Sequence, residues 1–176
     1  MYDDVMTGLR DAYNHSAAER EKAGIAPWKQ EERQHVLSLL QAEGKRTLLE
    51  VGAGTGKDGL FFQQNGLEVT CIDASPEMVK LCRQKGLTAY VRDFLSLGFP
   101  AESFDALYAL NCLLHVPKHD LPAVLQALRQ VLRSGGLFYL GLYGGIDFEG
   151  VWPDDQHEPK RFFSYHTDDG IQQAPR

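Results

Sequence analysis

The segment "EVGAGTG", Glu50 to Gly56, sets an acid before glycines at three alternate positions, Gly52, Gly54 and Gly56. Glycine allows positive φ and carries no Cβ, so a ligand can approach the backbone closely. Apolar residues precede the segment and apolar character resumes past Lys57, the pattern of a strand that turns into a helix. The start of such a helix offers free N–H groups and a partial positive charge. The chemistry this suits is that of a cofactor cradle. Spacing excludes two phosphate motifs: the G-x-G-x-x-G pattern would need glycine where Lys57 stands, and a P-loop would need Ser or Thr where Asp58 stands. Glu50, an acid inside an apolar strand, needs a partner; it is a poor neighbour for a pyrophosphate and a good one for an ammonium or sulfonium group.

The surrounding pattern supplies the elements that position this loop. "WKQEERQHVLSLLQAE", residues 28–43, reads as a helix stopped by Gly44, and "RTLLEVG" as the first strand. Residues 57–64 read as a helix and Leu67 to Asp73 as a second strand. Ser75, Pro76 and Glu77 then open a helix that Gly86 closes. "LTAYVRD" predicts a third strand, "FDALYALNCLL" a fourth and "LFYLGLYG" a fifth, with a helix "LPAVLQALRQVLR" capped by Asp120 before the last. Strands that alternate with helices and are apolar along their length predict an α/β fold, a doubly wound, mostly parallel sheet covered on both faces. In such a sheet ligands bind outside the carboxyl ends of the strands, where the glycine loop lies. The expected organisation is one domain: an N-terminal helical segment or lid over 1–45, a Rossmann-like core over 46–145 and a polar tail over 146–176.

From about Trp28 to Tyr143 the sequence resembles the class I S-adenosylmethionine-dependent methyltransferases, whose first motif, acid-x-G-x-G-x-G, is matched by "EVGAGTG". The resemblance implies that S-adenosyl-L-methionine is the cofactor and that Glu50, Gly52, Ala53, Gly54, Thr55 and Gly56 form its cradle, with Glu50 toward the methionyl end. It implies that Asp73, 21 residues after Gly52 (73 minus 52), accepts from the ribose hydroxyls. Ala74 and Met78 resemble the positions flanking the adenine. Asp93 resembles the acid that receives the adenine amino group, and Phe94 the residue packed on the ring. Asn111, with Leu110 and Ala109, resembles the segment whose backbone meets the methionyl end. Ser134-Gly-Gly stands where the family usually has Pro-Gly-Gly. The implied activity is in-line methyl transfer, in which the protein orients the acceptor and a base is optional.

No catalytic residue is assigned from sequence. His115 lies just past strand four on the ligand side and reads as a structural histidine beneath the cofactor, with substrate contact as the other option. Tyr13 and Trp28 are candidates for a lid over the site, Tyr143 for its rim, and Tyr108 for the core. "ALNCLLH" differs from the Asn/Asp-Pro-Pro-aromatic motif of enzymes that methylate base amino groups, and net charge is −6, with scattered basic residues. Both disfavour nucleic acid and leave a small molecule as the expected acceptor. Cys71, Cys82 and Cys112 form no CxxC pair and sit in apolar runs, as reduced thiols of a cytoplasmic protein do; the six histidines predict no metal site, and no apolar run predicts a membrane span.

The family sheet normally ends in an antiparallel hairpin after strand five. The tail "KRFFSYHTDDGIQQAPR", with Thr167 as a possible cap, is too short to add both strands to the sheet, so the hairpin is expected to be missing. Strand five would then be an apolar edge, and the expectation is a homodimer through that edge or a shortened product of low stability. A non-catalytic cofactor-binding module is the alternative function. A nicotinamide-dependent oxidoreductase is disfavoured by the glycine spacing.

Overall fold

The computed structural model describes residues 2–172. Helices α1 (Tyr2–Lys22) and α2 (Pro27–Ala42) lead into β1 (Thr47–Val51), α3 (Lys57–Gln64), β2 (Glu68–Asp73), α4 (Pro76–Gln84) and β3 (Thr88–Val91). Then come β4 (Phe104–Leu110), a 3₁₀ turn (Leu113–His115), α5 (Leu121–Val131), β5 (Leu132–Gly141), β6 (Phe148–Val151), β7 (Phe162–Tyr165) and α6 (Asp168–Gln172). Five strands form one parallel sheet in the order β3-β2-β1-β4-β5. The order reverses between β1 and β4, so the loops after these two strands diverge and leave a crevice between them.

Alternation along the inner strands explains the two covered faces. Leu48, Ala106 and Tyr108 face a core built with Val36, Leu37 and Leu40 of α2, Phe62 of α3 and Val79 of α4. Leu49, Val51, Leu107 and Ala109 face the opposite core, with Leu121, Val124 and Leu128 of α5 and Met6 and Leu9 of α1. A side-chain period of two within strands buried on both sides produces this split. Ser75 caps α4, accepting from the Met78 amide at 3.2 Å, and Pro76 is its first residue.

Three expectations are corrected. Asp120 does not cap α5 with its side chain: its backbone is already helical (φ −91°, ψ −15°), and its amide and that of Leu121 turn back onto the Pro117 carbonyl. An N-cap side chain needs an extended backbone to reach forward. Strand β4 stops at Leu110, four residues short of the apolar run's end, because Asn111 takes a left-handed φ of +54° and sends Cys112 to His115 into the 3₁₀ turn. Finally, a C-terminal antiparallel hairpin is present. β6 and β7 pair Phe148 with Tyr165 and Val151 with Phe162, packed by Phe148 and Tyr165 edge to face on Trp152 and by Phe163 stacked on Tyr165. This hairpin stands apart from the main sheet, so β5 remains an edge as expected. Thr167 accepts from the Gly170 amide at 3.1 Å, as a cap would.

Candidate functional site

The three loop glycines all have positive φ (+65°, +54° and +79°), yet they serve different needs. A Cβ on Gly52 would overlap Cβ of Cys112 and lie 3.0 Å from its Sγ. A Cβ on Gly56 would come within 2.8 Å of both Cys82 Sγ and Leu87 Cδ1. These two glycines let the loop pack on its neighbours. A Cβ on Gly54 would meet nothing within 4 Å, and Gly54 lines two adjoining cavities of about 290 and 80 Å³. At Gly54 the missing side chain leaves room for a ligand. The loop is fixed by the Ala53 amide on the Ile72 carbonyl (3.0 Å) and by thiol donors: Cys82 Sγ to the Gly54 carbonyl at 3.3 Å and Cys112 Sγ to that of Val51 at 3.1 Å.

The smaller cavity gathers Asp73, Ala74, Phe94 and Asn111, the ends of three strands. Asp73 accepts from the Gly54 amide through Oδ2 (2.8 Å) and from the Ser75 amide through Oδ1 (2.9 Å). Burial raises its carboxyl to about 6 in spite of these donors. Two of its oxygen lone pairs remain for further donors. Asn111 is strained into the left-handed region, and its Nδ2 is buried without a partner. Two expected residues stand outside this group. Met78 is fully buried in the core under α4. Asp93 turns back on its own loop, its Oδ1 accepting from the Leu95 and Ser96 amides at 2.8 Å each, and faces a surface dish with Arg92 and Gly98. It thereby fixes the turn that carries Phe94.

The larger cavity holds the charges. Glu50, 3% exposed, takes a hydrogen bond from Cys71 Sγ at 3.4 Å, and a Cβ on Gly59 would overlap its Oε2. Burial, then the neighbouring Asp58, holds its carboxyl well above the usual range. Asp58 contacts Arg33 Nη1 and Tyr108 Oη, and burial raises it as well. Arg20 and Lys29 line the same cavity, the latter's ammonium lowered by burial. Ala53 and Thr55 also line this cavity.

Helix α1 covers the crevice. Lys57 Nζ donates to the carbonyls of Arg20 (2.9 Å) and Ala23 at the C-terminal end of α1, and Asn14 Oδ1 accepts from Ser75 Oγ at 2.6 Å. Tyr13 lines the smaller cavity with its hydroxyl 2.8 Å from Nε2 of His115. His115 Nδ1 lies 2.7 Å from the Phe162 carbonyl, which can only accept, so Nδ1 carries the proton and Nε2 accepts from Tyr13. The imidazole is 2% exposed, and burial pushes it down to about 3. Arg161 also donates to Tyr13 Oη (3.2 Å) while gripping Asp155 with Nε and Nη2 at 2.9 and 2.7 Å. Trp28 and Tyr143 meet edge to face at 5.9 Å, both exposed. Tyr108 is a core residue stacked on Tyr139 at 5.4 Å.

Sequence reasoning missed Arg20, Lys29, Asp58 and Arg161. Asp58 carried a signal, an acid two residues past the last loop glycine. The three cations had none, because no spacing ties them to the loop.

The sequence profile of the methyltransferase domain family matches residues 48–136, half of the chain, and the chain belongs to that family. Its fold is that of the class I S-adenosylmethionine-dependent methyltransferases. It is similar to the ubiquinone biosynthesis O-methyltransferase of Xanthomonas oryzae pv. oryzae, 35% identical over 113 residues, 60% of this chain and 46% of that protein. A sterol 24-C-methyltransferase of Gibberella zeae is 29% identical over 136 residues, 72% of this chain and 34% of that one. Among solved structures, the Burkholderia thailandensis 1,6-didemethyltoxoflavin-N1-methyltransferase with bound S-adenosylhomocysteine superposes with TM-score 0.72 at 21% identity, over 97% of this chain and 76% of the other. The chain spans about half the length, or less, of the curated relatives it matches. No helix among the described residues is long and apolar enough to cross a membrane.

Proposed function

We propose that the protein transfers a methyl group from S-adenosylmethionine to a small-molecule acceptor by in-line displacement, in the cytoplasm. The observation that carries this reading is Gly54: its open face leaves the backbone free to meet a ligand, and its amide is paired with the Asp73 carboxylate, an acceptor for a diol. In this reading Asp73 takes the ribose hydroxyls, Ala74 and Phe94 enclose the adenine, the backbone of Gly52 to Gly56 and Asn111 carries the sulfur-bearing chain, Glu50 faces the ammonium group, and Arg20 and Lys29 take its carboxylate. Asp93 acts through Phe94 and Met78 through Ser75. Bound there, the cofactor supplies a methyl group on a sulfonium centre, a good leaving group. The residues of this chain orient it and exclude water under α1. A small acceptor is favoured because α1 roofs the crevice and the net charge is −6.

Calorimetric titration with S-adenosylmethionine and S-adenosylhomocysteine, with NAD as control, tests the reading. Micromolar binding of both adenosyl ligands, lost in Asp73→Ala, supports it; binding of NAD alone, or of neither, refutes it. The exposed edge of β5 favours a second component. Residues 134–146 carry no charge to keep edges apart, and two chains pairing along β5 would cover them. A strict monomer at tens of micromolar by light scattering rules this out. If binding occurs without transfer to any acceptor in a labelled-methyl screen, the non-catalytic module replaces the enzyme.

A further inference from the structure

The larger cavity is lined by charges of both signs, Arg20 and Lys29 with Glu50 and Asp58. Its two acids, the buried Glu50 and the part-buried Asp58, are poorly coordinated. Asp58 meets Arg33 Nη1 and Tyr108 Oη at 3.4 Å each, long against the roughly 2.7–2.9 Å usual for a charge-assisted N–H···O bond. Glu50 has a thiol, a weak donor, at 3.4 Å and the Gly59 amide. Between them the two groups can accept several more donors. Lys57, the third cation of the cavity, is committed to the carbonyls of Arg20 and Ala23.

Resting on the cofactor reading above, we propose that Asp58 joins Glu50 as a two-carboxyl wall that takes the α-ammonium group at the methionyl end of the cofactor. Motif reasoning supplies only Glu50 for this task. Asp58 comes from the first turn of α3, and the absence of a side chain at Gly59 lets Glu50 lie against that turn.

The wall carries a measurable consequence. Facing Glu50 are Asp58, Cys71 of β2 and Cys82 of α4; facing Asp58 are Arg33 and Lys29 of α2 and Tyr108 of β4, with Tyr139 stacked behind. Glu50, buried beside the Asp58 carboxylate with only a thiol and one amide as donors, retains a proton in the free protein. An ammonium ion brings positive charge and three N–H donors. As N–H···O bonds form, the carboxyl O–H bond breaks and the proton leaves to the buffer.

Calorimetry of the full chain at pH 6.5, repeated in buffers of different ionisation enthalpy, counts protons released. S-adenosylhomocysteine is compared with 5′-methylthioadenosine, which keeps the adenosine and sulfur but lacks the amino-acid end. Any proton from Asp73 appears with both ligands, so the difference isolates the methionyl end. The expected difference approaches one proton. In Asp58→Asn it falls toward zero, and affinity for S-adenosylhomocysteine drops about tenfold or more while that for 5′-methylthioadenosine holds. Equal proton counts for the two ligands on the wild-type chain overturn the proposal, even if the variant fails to fold. So does an Asp58→Asn chain that keeps both affinity and proton count. Failure of both ligands to bind instead removes the cofactor reading itself, and this inference with it.

Discussion

Alanine at Gly52 and at Gly54 gives the sharpest test of the loop, because the two sites share a backbone conformation and differ in what surrounds them. Each substitution puts a Cβ on a left-handed residue, which costs about 1–2 kcal/mol. At Gly52 the new methyl group also lands on Cys112, close to the chain at its Cβ, where rotation of a side chain gives no escape. Overpacking of that kind adds about 1–3 kcal/mol, for a total of about 2–5 kcal/mol. For a domain of this size each kcal/mol lowers Tm by about 2–4 °C, so Gly52→Ala should melt about 4–20 °C below wild type. Gly54→Ala has only the conformational cost, about 2–8 °C by the same conversion. Its methyl group projects into the cavities, and affinity for S-adenosylhomocysteine should fall about tenfold or more. Thermal melts and ligand titrations on both variants decide it. Equal destabilisation of the two, or wild-type affinity in Gly54→Ala, would refute the division between packing glycines and a ligand-facing one.

Other outcomes follow from the buried charges. His115 sits at about 3 in the fold against 6.5 for an ordinary histidine. Between those values the unfolded chain takes a proton that the native one refuses, so stability falls as pH drops from 6.5 toward 3. At about 1.4 kcal/mol per pH unit the loss reaches a few kcal/mol, and His115→Gln should flatten that part of a denaturation series. Asp73, raised to about 6, is protonated in the free protein below that value, whereas donor hydroxyls favour its carboxylate. Affinity for 5′-methylthioadenosine, which reaches Asp73 but lacks the amino-acid end, should therefore be flat above pH 6 and fall by up to about tenfold per unit below it, checked by titration at pH 5 and 7. Arg161→Leu leaves Asp155, whose side chain is 5% exposed, without its guanidinium; chemical denaturation should register a loss of about 3 kcal/mol.

The parts of this molecule legible in its sequence are those governed by local periodicity. The apolar strands, the glycine stops and the Ser75-Pro76 cap depend on residues within one turn or one strand of each other. The glycine loop could be read as a cradle, but not which glycine faces the ligand, because that depends on Cys112 and Cys82, which lie 60 and 26 residues beyond Gly52 and Gly56 (112 minus 52, 82 minus 56). Asp93 looked like a ligand-facing acid and instead fastens its own turn, since two amides two and three residues ahead compete for its carboxylate. Arg20, Lys29 and Arg161 reach the crevice only through the packing of α1, α2 and the hairpin, which no spacing rule encodes. The hairpin escaped notice because its strands are four residues long and its aromatic side chains pack largely on one another, edge to face around Trp152.

The seating of α1 has a kinetic consequence. Met6, Leu9, Ala12 and Ala17 are buried, and contacts to Lys57, Ser75, His115 and Arg161 hold the helix over the crevice. The cavity at Asp73 beneath this helix holds only about 80 Å³, less than a nucleoside occupies, so entry there waits for the helix to lift. The observed association rate should then rise with ligand concentration only until opening becomes limiting, and level off there. That plateau is a clock for the helix itself, and every contact weakened along α1 should raise it.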